Sequence, residues 1–171
     1  EDGTIDINLI KDAIRTDDVH FPMTSLIIIE NTHNKCHGFP LEIDYINSVC
    51  SLAHENHIKV HMDGARVFNA CAALELSPEV ITESVDSITF CLSKGLSSPL
   101  GSVLCGSSDF IAEARRIRKS LGGGMRQTGI IAAPGIVSLN KMRHRLKDDH
   151  DNAKHLANAL HTLDSIEINP D

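Results

Sequence analysis

A strand that ends on a lysine and a glycine and turns at once into a second strand constrains this chain more than any other feature. In Asp86-Ser-Ile-Thr-Phe-Cys-Leu-Ser-Lys94-Gly-Leu-Ser-Ser-Pro-Leu-Gly101-Ser-Val-Leu-Cys-Gly106, Ile88, Phe90 and Leu92 alternate with Thr89 and Cys91, the period of a strand with two unlike faces. Val103 to Cys105, between two glycines, reads as its neighbour, with Pro99 and the glycines shaping the turn. Lys94 is thus expected in a tight loop with sheet on both sides. Upstream, Ile58 to Met62 alternates in the same way and delivers Asp63 just before a helix start at Gly64-Ala-Arg66. Thr24 to Ile29 is a continuous apolar run, as expected of a strand buried on both faces of a parallel sheet.

The intervening segments read as helices. Asp6 is expected to cap a helix from Ile7 to Arg15 that turns Leu9, Ile10 and Ile14 inward. Leu41 to Asn56 places Ile46, Val49, Cys50 and Ala53 on one face. Ser77-Pro78 opens a short helix, and Ser108 is expected to cap another that runs to Leu121 and stops at Gly122-Gly-Gly124. Ile130 to Arg145 reads as one long apolar helix despite Pro134 and Gly135, and Asp148 to Leu163 as a polar amphipathic one. The pattern predicts an α/β fold, a mostly parallel sheet sandwiched by helices.

A loop lysine is most often just solvated. Here an aspartate and a lysine each follow a strand in an α/β pattern, where such sheets bind ligands. A pyridoxal phosphate site needs that pair: a lysine to form a Schiff base with the aldehyde, and a carboxylate to keep the pyridine nitrogen protonated. Asp63 can also be read as a helix N-cap, and both uses are compatible.

Four blocks then fall in register. His61-Met-Asp-Gly-Ala-Arg-Val-Phe-Asn-Ala70, Ser93-Lys-Gly-Leu96 with Pro99-Leu-Gly-Ser102, Glu30-Asn-Thr-His-Asn34 and Gly122-Gly-Gly-Met-Arg-Gln127 resemble the signature blocks of the low-specificity L-threonine aldolases. The match runs from Asp2-Gly-Thr-Ile-Asp6 to about Leu139. The resemblance implies an incomplete large domain of a fold type I enzyme dependent on pyridoxal 5'-phosphate, cleaving L-threonine and L-allo-threonine to glycine and acetaldehyde. It implies Lys94 as the Schiff-base lysine, Asp63 at the ring nitrogen, Arg66 at the cofactor's phenolic oxygen and His33 beside the substrate's β-hydroxyl. Lys119 and Arg126 would reach toward an anionic group at the active site of a neighbouring subunit in a homodimer or homotetramer. The family's phosphate loop and ring-stacking histidine would lie before Glu1, and its substrate-carboxylate arginine after Asp171. Asn34-Lys-Cys-His-Gly-Phe-Pro40 departs from the family's loop, and Ser97-Ser98 replaces the usual Gly-Ala, a change expected only to stiffen the turn. Two other readings share the pair or dispense with it: a β-eliminating lyase or aminotransferase of the same fold, and a catalytically silent scaffold.

The resemblance implies a small-molecule amino acid as the partner, and composition weighs against two other classes. A net charge of -7, with no basic cluster beyond Arg115-Arg116-Ile-Arg118-Lys119, argues against a nucleic-acid or anionic-membrane surface. Cys36, Cys50, Cys71, Cys91 and Cys105 include no C-x-x-C pair and fall mostly on apolar faces, so buried reduced thiols and a cytoplasmic setting are expected. His54, His57 and His61 are not spaced as H-E-x-x-H, and no metal is expected. A chain beginning at Glu1 and ending at Asn169-Pro-Asp171 is read as a piece of a longer polypeptide. Residues 1-147 would then be part of the cofactor-binding domain, and 148-171 the start of a smaller one.

Overall fold

Three short strands carry the β-branched and apolar runs that the pattern isolates: β1 Leu26–Glu30, β2 Lys59–Asp63 and β3 Ser87–Cys91. In the computed structural model, which describes residues 2–168, they pair in the order β1-β2-β3-β4, with β4 at Ser102–Gly106. β1, β2 and β3 are parallel, and β4 returns antiparallel to β3. Helix α1 (Ile7–Ala13) precedes β1, α2 (Ile43–Glu55) links β1 to β2, and α3 (Val67–Leu74) with α4 (Pro78–Ile81) links β2 to β3. After the β3-β4 hairpin come α5 (Ser108–Ser120), α6 (Gly129–Asn140), a 3-10 turn (Met142–Arg145) and α7 (Leu146–His161).

Helix α2 buries Ile46, Val49, Cys50 and Ala53, the face its periodicity predicts, against Ile29, Val60, Met62 and Ile88 of the sheet. A second apolar cluster, Leu92, Leu96 and Leu146, packs with Phe68, Phe90 and Val103 under the β3-β4 hairpin. Every strand residue in both clusters belongs to one face of the sheet. The other face carries Ile28, His61, Asp63, Ser87 and Thr89, and Ile28 is 62% exposed. β1 is therefore not buried on both faces as its unbroken apolar run suggests, because among the described residues neither core cluster draws on its second face.

Other expectations shift by small physical margins. Asp6 caps α1, accepting from the Asn8 N–H at 2.7 Å, but the helix closes at Ala13, and Ile7 joins Ile10 and Ile14 against the core while Leu9 faces out. Ser107, not Ser108, caps α5. The stretch from Ile130 does not run through to Arg145 as one helix: Lys141 leaves helical geometry and the chain tightens into the 3-10 turn. α7 begins at Leu146, which is buried. The lead into a smaller domain expected at 169-171 lies outside the described residues.

The opposite, N-terminal edge of the sheet is tied by Asp86. Its carboxylate accepts from Lys59 Nζ at 2.7 Å, His54 Nε2 at 2.9 Å and the Val60 N–H at 2.8 Å. Burial pushes this carboxyl up, but the bonds from Lys59, Val60 and His54 outweigh it and hold the group down at about 2. A carboxyl depressed on folding stabilises above its unfolded value of about 4 and loses that contribution as pH falls through the folded one. After allowance for solvent screening the contribution is on the order of 1 kcal/mol. Urea titrations at stepped pH should show that loss between about pH 4 and 2 in the native protein, and a flatter dependence in Asp86→Asn.

Candidate active site

Parallel pairing aligns the C-terminal ends of three strands, because the register sets Glu30 opposite Asp63 and Asp63 opposite Thr89. The loops that leave this edge carry the residues singled out from sequence, as open α/β sheets dictate. Past the strands the ladder continues: the Asn31 N–H donates to the Asp63 carbonyl at 2.9 Å, and the Gly64 N–H to the Thr89 carbonyl at 2.8 Å. Asn31 is fully buried, and its Oδ1 accepts from the Leu41 N–H at 3.1 Å. That bond fixes both ends of the loop carrying His33.

Asp63 is the last residue of β2 and its side chain is exposed. Its Oδ1 accepts from the Ala65 N–H at 3.1 Å, while the N-cap position of α3 falls to Arg66. The aspartate thus shapes the turn without being spent as a cap. Gly64 eases the geometry: a Cβ there would lie 2.6 Å from Ile88 Cδ1, so any other residue would have to displace the Ile88 side chain from its place in the core.

His33 and Glu30 meet across the turn after β1, with Nε2 3.5 Å from Oε2. Glu30 Oε1 accepts from the Asn34 N–H at 3.1 Å, and His33 Nδ1 is buried without a partner. Glu30, His33 and Asp63 line one cleft of about 810 Å³, walled by α1 and β1.

Lys94 lies at the tip of the hairpin next along the same edge, exposed, while Leu92 and Leu96 on either side are buried. Those two anchors, with the bonds Leu92 N–H to Gly101 carbonyl, Ser98 N–H to Leu92 carbonyl and Ser97 N–H to Lys94 carbonyl at 2.8 to 2.9 Å, fix the loop around the amine. A Cβ on Gly95 would come within 2.8 Å of Asn69 Oδ1 and 2.9 Å of Leu146 Cδ2, so the residue after the lysine is pressed onto α3 and α7. Ser97 has φ of 59°. The serine therefore sits in a left-handed conformation that glycine adopts at less cost, a strain not anticipated in a turn expected only to be stiffer.

The remaining candidates lie elsewhere. Lys119 folds over the Gly124 backbone at the end of α5, and Arg126 follows in the next turn, both exposed and outside the cleft. His54 binds Asp86, whereas His61 bonds Ser87 Oγ at 2.8 Å and Thr89 Oγ1 at 3.2 Å, so the histidine-rich stretch is divided between separate contacts. Cys50 and Cys71 are buried, and burial pushes the Cys71 thiol up to about 11. Cys105 pairs with Ile88 on the core face of the sheet but is exposed on the edge strand β4. No helix among the described residues is long and apolar enough to cross a membrane.

A family model described as beta-eliminating lyase matches residues 1–171. The chain belongs to the beta-eliminating lyase family. Within it, the chain is 45% identical over 159 residues to the low specificity L-threonine aldolase of Escherichia coli K12, covering 93% of this chain and 47% of that protein. It spans about half the length of the curated relatives it matches. Among solved structures, the Leishmania major threonine aldolase superposes with a TM-score of 0.76 at 18% identity, covering 92% of this chain and 47% of the other. A PLP-bound C-S lyase from Staphylococcus hominis superposes at 0.60 and 14%, covering 92% and 41%. These likenesses show the α/β fold of the chain.

Proposed function

We propose that the complete protein containing this chain is a pyridoxal 5'-phosphate-dependent lyase that cleaves L-threonine and L-allo-threonine to glycine and acetaldehyde. The observation that carries the reading is the placing of Asp63 and Lys94 at the ends of adjacent strands on one sheet edge, in a chain 45% identical to a low specificity L-threonine aldolase. The donor set fits that cofactor at two ends. Among the described residues the Lys94 amine has no ion-pair or hydrogen-bond partner, and Asp63 keeps one carboxylate oxygen beyond the turn bond to Ala65.

When bound, the cofactor supplies an electron sink for the carbanion left at Cα. The chain's own residues do the rest. Lys94 would hold the aldehyde carbon through its amine, and Asp63 would keep a proton on the ring nitrogen. Arg66, at the start of α3, would set its charge against the phenolic oxygen. His33, in the cleft beside Asp63, would position the β-hydroxyl or take its proton, directly or through water. Lys119 and Arg126 would serve an anionic group in a neighbouring subunit of a homo-oligomer, and residues from 148 onward would open the smaller domain. A cytoplasmic setting accords with unpaired cysteines.

The test is to incubate the full-length protein with L-threonine, with and without added cofactor. Glycine and acetaldehyde should form in equal amounts only with the cofactor. 2-Oxobutanoate and ammonia as the main products, from loss of the β-hydroxyl with the Cα–Cβ bond intact, would instead make it an eliminating lyase, and failure to take up the cofactor would leave a silent scaffold.

A further inference from the structure

Glu30 ends β1 and opens the Glu30-Asn-Thr-His-Asn34 block, and its two carboxylate oxygens have separate tasks. Oε1 accepts from the Asn34 backbone N–H at 3.1 Å, which fixes the side chain to the very loop that carries His33. Oε2 faces His33 Nε2 at 3.5 Å. Both side chains are about one-third exposed, at 32% and 31%, and both line the cleft with Asp63. The other ring nitrogen, Nδ1, is buried and has no partner among the described residues. The ring thus has one carboxylate within ion-pair distance, and that carboxylate is on the Nε2 side.

From this geometry we infer that Glu30 is the positioning residue for His33: it holds the imidazole with its proton on Nε2 and so decides which nitrogen carries a lone pair. The inference rests on the reading of His33 as the group beside the substrate hydroxyl. A neutral imidazole has one donor and one acceptor nitrogen, chosen by its neighbours. A carboxylate can accept at both oxygens at once, from Asn34 and from Nε2–H. Glutamine cannot, because it has one acceptor oxygen and one NH₂ donor. In Glu30→Gln the oxygen stays with the Asn34 N–H and the NH₂ turns to Nε2, which must then accept, so the ring proton moves to Nδ1. A group that orients a reacting imidazole in this way works through tautomer and angle, with no contact to substrate of its own.

The experiment combines nitrogen-15 NMR of the His33 ring in the full-length protein, assigned by loss of the signal in His33→Asn, with steady-state cleavage of L-threonine. The wild type should show the Nε2–H tautomer and Glu30→Gln the Nδ1–H tautomer. kcat should fall roughly 10- to 100-fold in Glu30→Gln with KM within about two-fold, and the double variant should be no slower than His33→Asn alone. Unchanged tautomer in Glu30→Gln, or losses that multiply in the double variant, would overturn the inference. If the tautomer switches while His33→Asn cleaves threonine at the wild-type rate, Glu30 does hold the ring and it is the role given to His33 that fails.

Discussion

Lys94→Ala is expected to abolish the visible absorbance that the full-length protein acquires with pyridoxal phosphate, and to cut threonine cleavage by roughly 10⁴-fold or more, the scale on which removing a covalent participant acts. The fold should survive. The Lys94 side chain is exposed and its amine has no partner among the described residues, whereas the loop around it is held by buried Leu92 and Leu96 and by backbone hydrogen bonds that alanine leaves intact. The thermal midpoint of the cofactor-free protein should therefore stay within a degree or two of wild type, since surface substitutions away from such anchors change stability by only about 0.5 kcal/mol. That pairing of outcomes separates chemistry from folding. An unchanged spectrum in the variant would mean that the cofactor is held some other way, and the assignment of Lys94 would be lost with it.

Much of this edge was legible because two independent signals coincide there. Period-two alternation marks Ile58 to Met62 and Ile88 to Leu92 as strands, and each ends in a polar residue followed by glycine. The close approaches at Gly64 and Gly95 show why glycine is present: side chains of Ile88, Asn69 and Leu146 occupy the space a Cβ would need. Where the sequence carries only one signal, the reading drifts. Ile27, Ile28 and Ile29 are equally apolar, so nothing in their order says that Ile28 faces away from the core clusters. The run from Ile130 is apolar on every side, with Ile130, Ile136 and Val137 exposed while Gly135 and Ser138 are buried, so periodicity offers no face and no end. Ser107 and Ser108 are alike as caps, and only the backbone distinguishes them.

The Glu30 to His33 contact belongs to a third kind, invisible at any level of pattern. Three residues apart would mean contact on a helix, but here the chain leaves a strand, and whether the two side chains meet depends on how the turn is closed. Asn31 closes it, through one side-chain bond to Leu41 and one backbone bond to Asp63. A buried asparagine at a strand end gives no sequence signal of that role. The consequence is that the cleft's polar end is built jointly by two strands: β1 supplies Glu30 and the His33 loop, and β2 supplies Asp63.

Asp63→Asn should therefore give the second large effect, and a different one in kind. The side chains are nearly isosteric, and the asparagine oxygen can still accept from the Ala65 N–H, so the turn, α3 and the placing of Arg66 should persist. What disappears is the negative charge that would keep a proton on the ring nitrogen, and with it the electron withdrawal that stabilises the carbanion. Cofactor should still bind through Lys94 and still absorb, but cleavage should slow by about 10² to 10⁴-fold, the range over which removal of one electrostatic stabiliser or proton-holding group acts. Most of that loss should appear in kcat, because the charge matters where negative charge develops and little in the bound substrate. Reconstitution with a cofactor analogue carrying a permanently positive, N-methylated ring supplies a sharper check. Asp63→Asn should recover part of its rate with the analogue, while the wild type gains nothing. Absence of any recovery, with the analogue bound, would show that Asp63 acts on the turn and not on the ring.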